Sequence, residues 1–482
     1  MKKNLLISFL ILLMILFPIS VYAKDNTSSD SKANITLEYN QEDQKLLENI
    51  PEVGCKAVFI ANPVTGKIIY EKNAHEKMYP ASTTKILTAL VAMENCEMAD
   101  TAIVSQHALD LVPEGYSNAK LQAGEEHTIK DLLYALLLPS ANEAANVLAE
   151  HISGSVEEFA EICNKRAKEL GCETLHFVNA NGLHDENHYC SAYDLYLVAK
   201  ECQKYDIFNE IVKTKTYNLP STDIYPEVRT IKNTNELLFS GTYYYSYCTG
   251  IKTGHTTPAG ECLVASSSYN NMDLISVVLG GELVNAYGLN DRFYDTKRLF
   301  EFIYDNYSIK KVAQYGDSVA KIEVGKATKD TKNLDVVVDT DISTIVPNNI
   351  NKENIVSTIY INEDVVAPIE QNQVLGQITY YADGLNYTTS IIASHSVDKL
   401  PYTRYNIIVV VSLIVIFAIF IIIFKIFKKH KKAVLIIEII LFIGMCIFII
   451  SFVKKDIKNS TSKITLSPNV TLDDQSVLRE EV

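Results

Sequence analysis

Three apolar runs divide this chain before any fold is considered. The first lies in MKKNLLISFLILLMILFPISVYA, where two lysines precede the apolar stretch and Val21 and Ala23 flank a cleavage position before Lys24. That layout is a secretory signal over residues 1–23. Its competing reading is an uncleaved anchor, and under either the body of the chain leaves the cytoplasm. The second run, 406–424, carries no charge and is long enough to cross a bilayer as a helix. KIFKKHKK follows at 425–432, and the third run, 433–453, contains one charge, Glu438. A basic cluster between two spans stays on the cytoplasmic side. The second run therefore enters and the third returns, leaving the polar tail 454–482, with Asp473, Asp474, Glu480 and Glu481, outside. The alternative is a third run that lies along the interface or pairs with another membrane protein.

The part between the runs is too long for one ordinary domain and suits two. Residues 24–45 are polar and aperiodic, a flexible spacer. In CKAVFIANPVTGKIIYEKN the β-rich runs Ala57 to Ala61 and Lys67 to Glu71 flank turn chemistry, a hairpin. A helix starting near Ser82 follows, with Leu87, Leu90, Val91 and Met93 at helical spacing, and helical patterns dominate from Ile129 to about Leu170. Strands return in GIKTGHTTPAGECLVASSSYNNMDLISVVLGG, and DRFYDTKRLFEFIYDNY closes the section as an amphipathic helix. The two hairpins can share one antiparallel sheet, with the first and last helices on one face and the helical middle as a separate lobe. After about Ser308 short alternating runs broken by Gly, Asn, Asp and Pro predict a small β-sandwich without catalytic residues, a spacer or docking module.

A net charge of −14 speaks against nucleic acid as a partner. Nine cysteines include Cys446 in the third run, leaving an even eight outside. None has the paired spacing of a zinc or redox site, so most read as small buried thiols suited to a reducing habitat. His176, His184 and His188 lack the spacing of a helical zinc pair, and the tyrosines 243–245 and 247 read as a packed strand or cleft wall.

Three short patterns then occur in one order: Ser82-Thr-Thr-Lys85, Ser140-Ala-Asn142 and Lys252-Thr253-Gly254. Ser-x-x-Lys alone is weak, because seven other pairs, such as Ser29/Lys32 and Ser318/Lys321, share the spacing. Lys-Thr-Gly occurs once. Only Ser82/Lys85 opens a helix after a hairpin and precedes the other two, the set associated with acyl-serine enzymes. Residues three apart on a helix share a face, so the Lys85 amine reaches the Ser82 hydroxyl. The helix start favours an alkoxide at Ser82 by roughly 0.3–1 kcal/mol. Lys85 acts as a base only when neutral, and burial and a neighbouring Lys252 would both lower its pKa. Ser140 passes a proton toward a leaving amine, and Asn142 holds the lysine and a substrate amide. Lys252 and Thr253 on a strand edge suit a peptide that ends in a carboxylate, and Gly254 allows close backbone approach.

These segments, with LQAGEEHTIKDLLYALLLPSANEAANVLAEHISGS and TLHFVNANGLHDENHYCSAYDL, resemble the low-molecular-mass penicillin-binding proteins, serine-type D-alanyl-D-alanine carboxypeptidases of the SxxK acyl-serine transferase superfamily. The resemblance runs from about Cys55 to Asn306. It implies an α/β domain of the β-lactamase/transpeptidase type over 46–307, an antiparallel sheet flanked by helices plus a helical lobe. A small all-β sandwich over 308–398 and two C-terminal transmembrane helices would follow. The implied activity is removal of the terminal D-Ala from peptidoglycan stem pentapeptides through an acyl-serine, with β-lactams as covalent inhibitors and no cofactor or metal. The implied place is the outer face of a bacterial cell membrane.

By motif, Ser82 is the nucleophile, Lys85 the base, and Ser140 and Asn142 the second element. Lys252, Thr253 and Gly254 form the third, and the N–H groups of Ser82 and His255 hold the oxyanion, where one such donor is worth roughly 3–4 kcal/mol. The chain departs from the family's pattern at Ala141, Glu143 and Thr234, where relatives carry glycine, aspartate and, in some, a carboxylate-binding arginine. Arg292 is the substitute for that arginine, against a reading as an ordinary surface residue. Two further functions compete. A β-lactamase needs a glutamate-held water, for which Glu173 and Glu186 are the candidates. A non-catalytic β-lactam or peptidoglycan sensor or binder would need more cytoplasmic output than KIFKKHKK offers.

Overall fold

The computed structural model describes residues 46, 48–349, 355–400 without 363–364 and 383–384, isolated positions between 411 and 451, and 462–472. The signal 1–23, the spacer 24–45, the basic loop 425–432 and, apart from isolated positions, both spans lie outside the described residues. Among the described residues no helix is long and apolar enough to cross a membrane.

The first domain is built on a five-stranded sheet ordered β2-β1-β9-β8-β7, with β1 Ala57–Ala61, β2 Ile68–Lys72, β7 Cys248–Thr256, β8 Gly260–Tyr269 and β9 Met272–Gly281. All its pairings are antiparallel. The β1–β2 turn forms because the Asn62 side chain accepts from the N–H groups of Val64 (3.0 Å) and Thr65 (2.6 Å), a local turn that competes with further extension. The second hairpin is extended by the strand carrying Lys252 into a three-stranded meander.

The first and last helices do not share a face. Helix α1 (Lys85–Asn95) packs with Ala57, Phe59 and Ala61, whereas the closing helix, Asp291–Asn306, packs with Val58 and Ile60. The reason is legible in β1 itself: an unbroken apolar run, rather than an alternating one, is a strand covered on both faces. Around α1 stand α2 (Gln106–Asp110), α3 (Ile129–Leu137), α4 (Asn142–Ser153) and α5 (Val156–Glu169), with α6 (Ala192–Cys202) and α7 (Asp206–Lys213) completing the lobe. α1 is buried at every residue from Lys85 to Ala92, as a helix apolar on all sides must be. Short pairs β3 (Thr101–Ile103) with β4 (Glu126–Thr128), and β5 (Thr216–Leu219) with β6 (Arg229–Lys232), edge this lobe. The eight cysteines described in this domain are unpaired thiols, six of them buried.

The closing helix, α8, leads directly into β10 (Tyr307–Ala313), which pairs with β13 (Ile342–Pro347). Tyr307 and Ile345 are buried in the same cluster as α8, so this pair joins the two domains. The second domain is all-β. Its seven-stranded sheet is ordered β17-β11-β12-β16-β15-β14-β18, with β11 Ser318–Glu323, β12 Asn333–Val338, β14 Val356–Ile361, β15 Val374–Ala382 and β16 Leu385–Ala393. Its two outermost strands, β17 (Lys463–Leu466) and β18 (Val470–Leu472), come from the segment expected to be a polar tail. The correction has a simple cause. KITLSPNVTL alternates apolar and polar residues on each side of a turn, and Ile464 is buried in the sheet's core while Leu466, Val470 and Leu472 pack against it.

Candidate active site

Ser82 sits in a 3₁₀ turn, Ala81–Thr84, and Lys85 is the first residue of α1. The turn is held in a sparsely populated conformation, with Ala81 at φ 48°. Strain of this kind persists where surrounding contacts over-determine it. Two glycines supply the close contacts. A Cβ on Gly182, whose φ is +84°, would lie 2.0 Å from the Ala81 carbonyl oxygen. A Cβ on Gly254 would come within 2.9 Å of the Pro80 oxygen and 3.0 Å of the Ser82 nitrogen. The Lys-Thr-Gly strand thus presses on the backbone of the serine turn, and only glycine permits it.

Lys85 Nζ has three acceptors: Ser82 Oγ at 3.1 Å, Asn142 Oδ1 at 2.8 Å and the Asn181 carbonyl at 2.5 Å. This fixes the geometry of the base. A neutral amine has two N–H groups and one lone pair; the amide and the carbonyl can only accept, so they take the two protons. The lone pair then faces the Ser82 hydroxyl. Burial brings the Lys85 pKa down to about 7, opposed by the Glu143 carboxylate. Lys252 is lowered well below the ordinary lysine range, by burial first and then by repulsion from Lys85 and Arg292. Neither lysine forms an ion pair among the described residues.

The second motif lies at a break between helices. α3 ends at Leu137, Ser140 adopts φ 66°, and α4 begins at Asn142. Ser140 Oγ is buried without a hydrogen-bond partner among the described residues, so the structure does not join it to either lysine. Asn142 holds Lys85 through Oδ1, but its Nδ2 already donates to the Ser117 carbonyl at 3.0 Å, leaving one amide proton for any other acceptor. Glu143 Oε1 accepts from the Ala119 N–H at 2.6 Å and fastens the 117–121 loop over the motif, while burial raises its pKa.

On the third motif, Lys252 Nζ donates to the Thr253 carbonyl (2.9 Å), and Thr253 Oγ1 meets Thr234 Oγ1 at 2.6 Å. Arg292 is not an ordinary surface residue. Its Nη1 donates to the Gly254 carbonyl (3.0 Å) and pairs with Glu261 at 2.6 Å, directly beside the motif. His255, half exposed, contacts the same Glu261 at 2.8 Å. Glu173 and Glu186 are both exposed. A cavity of about 370 Å³ is lined by Tyr244, Tyr247, Tyr269 and Glu301, but no residue of the three motifs borders it.

Sequence reasoning missed the part played by Asn181. Its carbonyl is aimed by a knot of side chains: Asn179 Oδ1 accepts from Gly182 N (2.7 Å), and Asn181 Nδ2 donates to Asn146 Oδ1 (3.0 Å). His188 also buttresses the serine turn. It accepts from Val178 N at Nδ1, so its Nε2–H donates to Thr84 Oγ1 at 2.8 Å. Burial lowers its pKa to about 3, fixing it as a neutral brace behind the serine turn. The Asn-Ala-Asn-Gly run, rich in turn formers, was the available signal.

A family profile described as D-alanyl-D-alanine carboxypeptidase matches residues 44–282, and one described as penicillin-binding protein 5, C-terminal domain, matches 307–399. The D-alanyl-D-alanine carboxypeptidase DacF of Bacillus subtilis is 33% identical over 362 residues, covering 74% of this chain and 88% of its own length. DacA of Escherichia coli is 28% identical over 349 residues, 70% of this chain and 82% of that one. Among solved structures, a peptidoglycan synthesis regulatory factor (PBP3) from Streptococcus pneumoniae matches with a TM-score of 0.60 and 26% identity. It covers 72% of this chain and 100% of that one.

Proposed function

This chain belongs to the D-alanyl-D-alanine carboxypeptidase family, and from that premise we propose how its own residues carry out the reaction. The enzyme is a serine D-alanyl-D-alanine carboxypeptidase that removes the terminal D-Ala from peptidoglycan stem peptides through an acyl-serine, the same serine that β-lactams acylate. The observation that carries the assignment of roles is the lone-pair geometry of Lys85.

As Ser82 Oγ attacks the carbonyl of the penultimate D-Ala, its proton passes to Lys85 Nζ. The carbonyl oxygen, now negative, is held by the N–H groups of Ser82 and His255. Ser140 Oγ, free of protein partners among the described residues, delivers its proton to the departing amine and recovers one from the Lys85 ammonium as the C–N bond breaks, so acylation leaves both groups neutral. Free D-Ala leaves, and water returns the serine by the reverse transfers. Lys252, Thr253 and Thr234 face the substrate carboxylate. Its negative charge would raise the Lys252 pKa toward the cationic form that burial, Lys85 and Arg292 disfavour. Arg292, neutralised in part by Glu261, acts through the Gly254 carbonyl as a positioning residue. The exposed Glu173 and Glu186 give a β-lactamase reading no support.

The catalytic domain belongs outside the cytoplasmic membrane, anchored by its apolar runs. Supporting this are the signal-like N-terminus and the lysine cluster between the two C-terminal runs. The test uses the full chain in detergent with a stem-pentapeptide mimic and a fluorescent penicillin. D-Ala release, and a mass shift on Ser82 after β-lactam exposure, are the expected results. A penicillin adduct on any other residue overturns the assignment of the nucleophile.

A further inference from the structure

The segment after the third apolar run does not trail away from the protein. β17 pairs antiparallel with β11, setting Lys321 against Thr465 and Ile322 against Ile464. After the turn at Ser467–Asn469, β18 pairs in parallel with β14 at the opposite edge of the same sheet, setting Thr358 against Thr471. One ten-residue segment thus covers both edges, which would otherwise present unpaired backbone groups. The turn is fastened as well: Ser467 N donates to the Val319 carbonyl and Ser357 N to the Asn469 carbonyl, each at 3.0 Å.

The two ends of the intervening chain leave the domain at adjacent residues. The last residue described before it, Leu400, donates its N–H to the Lys326 carbonyl at 2.8 Å. The first residue after it, Ser462, accepts at Oγ from the Gly325 N–H at 2.8 Å and donates to the Val365 carbonyl. Helices packed side by side run about 8–10 Å apart, a spacing that neighbouring exits accommodate. The apolar runs 406–424 and 433–453, 19 and 21 residues long, lie in the sequence between these two anchored points, each within the length a bilayer crossing needs.

We propose that the returning segment 462–472 is an integral part of the β domain, closing both its edges, so that the chain between Leu400 and Ser462 leaves and rejoins one domain and crosses the membrane an even number of times. An odd number of crossings would leave β17 and β18 on the wrong side of the membrane, so strand pairing requires an even number. The pairing stands independently, but which side it occupies rests on the extracytoplasmic placement proposed above.

The experiment uses the full chain in intact cells. Lys321→Cys with Thr465→Cys places two exposed thiols at facing positions, where antiparallel partners lie about 4.5–5.5 Å apart, within disulfide reach. Mild oxidation should give the linked peptide in most of the protein, read by mass spectrometry, with none from the mismatched pair Lys321→Cys and Thr471→Cys. In a separate variant, His430→Cys should react with a membrane-impermeant maleimide only after permeabilisation, while an impermeant penicillin labels Ser82 from outside. No linked peptide, with Ser82 still labelled from outside, overturns the pairing and leaves the placement standing. Linked peptide with Ser82 unreachable upholds the pairing and overturns the placement. Linked peptide with His430→Cys labelled in intact cells overturns the crossing.

Discussion

Among the described residues the first domain buries eleven Asp, Glu, Lys and Arg side chains, Lys85, Glu125, Glu143, Arg229, Lys252 and Glu261 among them, whereas the β domain buries no charged side chain, and of polar ones only Thr344, Ser357 and Ser462. The contrast sharpens within the first domain. Glu125 is buried, yet Arg229, His127, Thr222 and the Gln122 N–H surround it. Burial pushes its pKa up, and these partners more than offset that, holding the carboxyl below its usual range. Lys85 and Lys252 are equally deep but face carbonyls, an amide and each other. Buried charge therefore marks structure as readily as chemistry, and what distinguishes the site is a buried cation left without a paired acid.

Four outcomes would break or refine that distinction. The largest belongs to Ser82→Ala, which should lower D-Ala release on the order of 10⁵–10⁶-fold and abolish the penicillin adduct with the melting temperature unchanged. Turnover surviving in this variant would remove Ser82 from the reaction. Next, Lys85→Met should slow acylation by about 10²–10⁴-fold while leaving denaturant stability near wild type, because an unpaired buried amine gives way to an apolar chain of similar volume. A large loss of stability there would mean that Lys85 is structural.

Arg229→Met should do the reverse. Stranding Glu125 costs about 3–5 kcal/mol of stability, yet each folded molecule, counted with a fluorescent penicillin, should acylate at the wild-type rate. The smallest effect is on pH dependence. Lys85 works as the neutral base, so β-lactam acylation should climb as pH rises through about 7 and level off above it. Glu143 favours the ammonium form, so Glu143→Gln, which can still accept from Ala119 N–H, should move the rising limb to lower pH. Movement to higher pH would remove Glu143 from the electrostatics of the base.

What could be read without coordinates is tied to side-chain identity and spacing. The serine–lysine pair, the ordered motifs, the glycine that lets β7 approach the serine turn, and the unbroken apolar run of β1 are all of this kind. So was the alternation in KITLSPNVTL, although polarity at the chain's end hid it. Tertiary structure alone decided the rest. The carbonyl that fixes the direction of the Lys85 lone pair belongs to Asn181, and a backbone carbonyl is the same for every residue. The Lys85 pKa is set by burial under segments distant in sequence, and Arg292 acquired its place only when α8 packed beside β7. Which edges the last strands cover depended on long-range pairing. Sequence supplied the reactive groups; their protonation, aim and neighbours are properties of packing, which no short pattern contains.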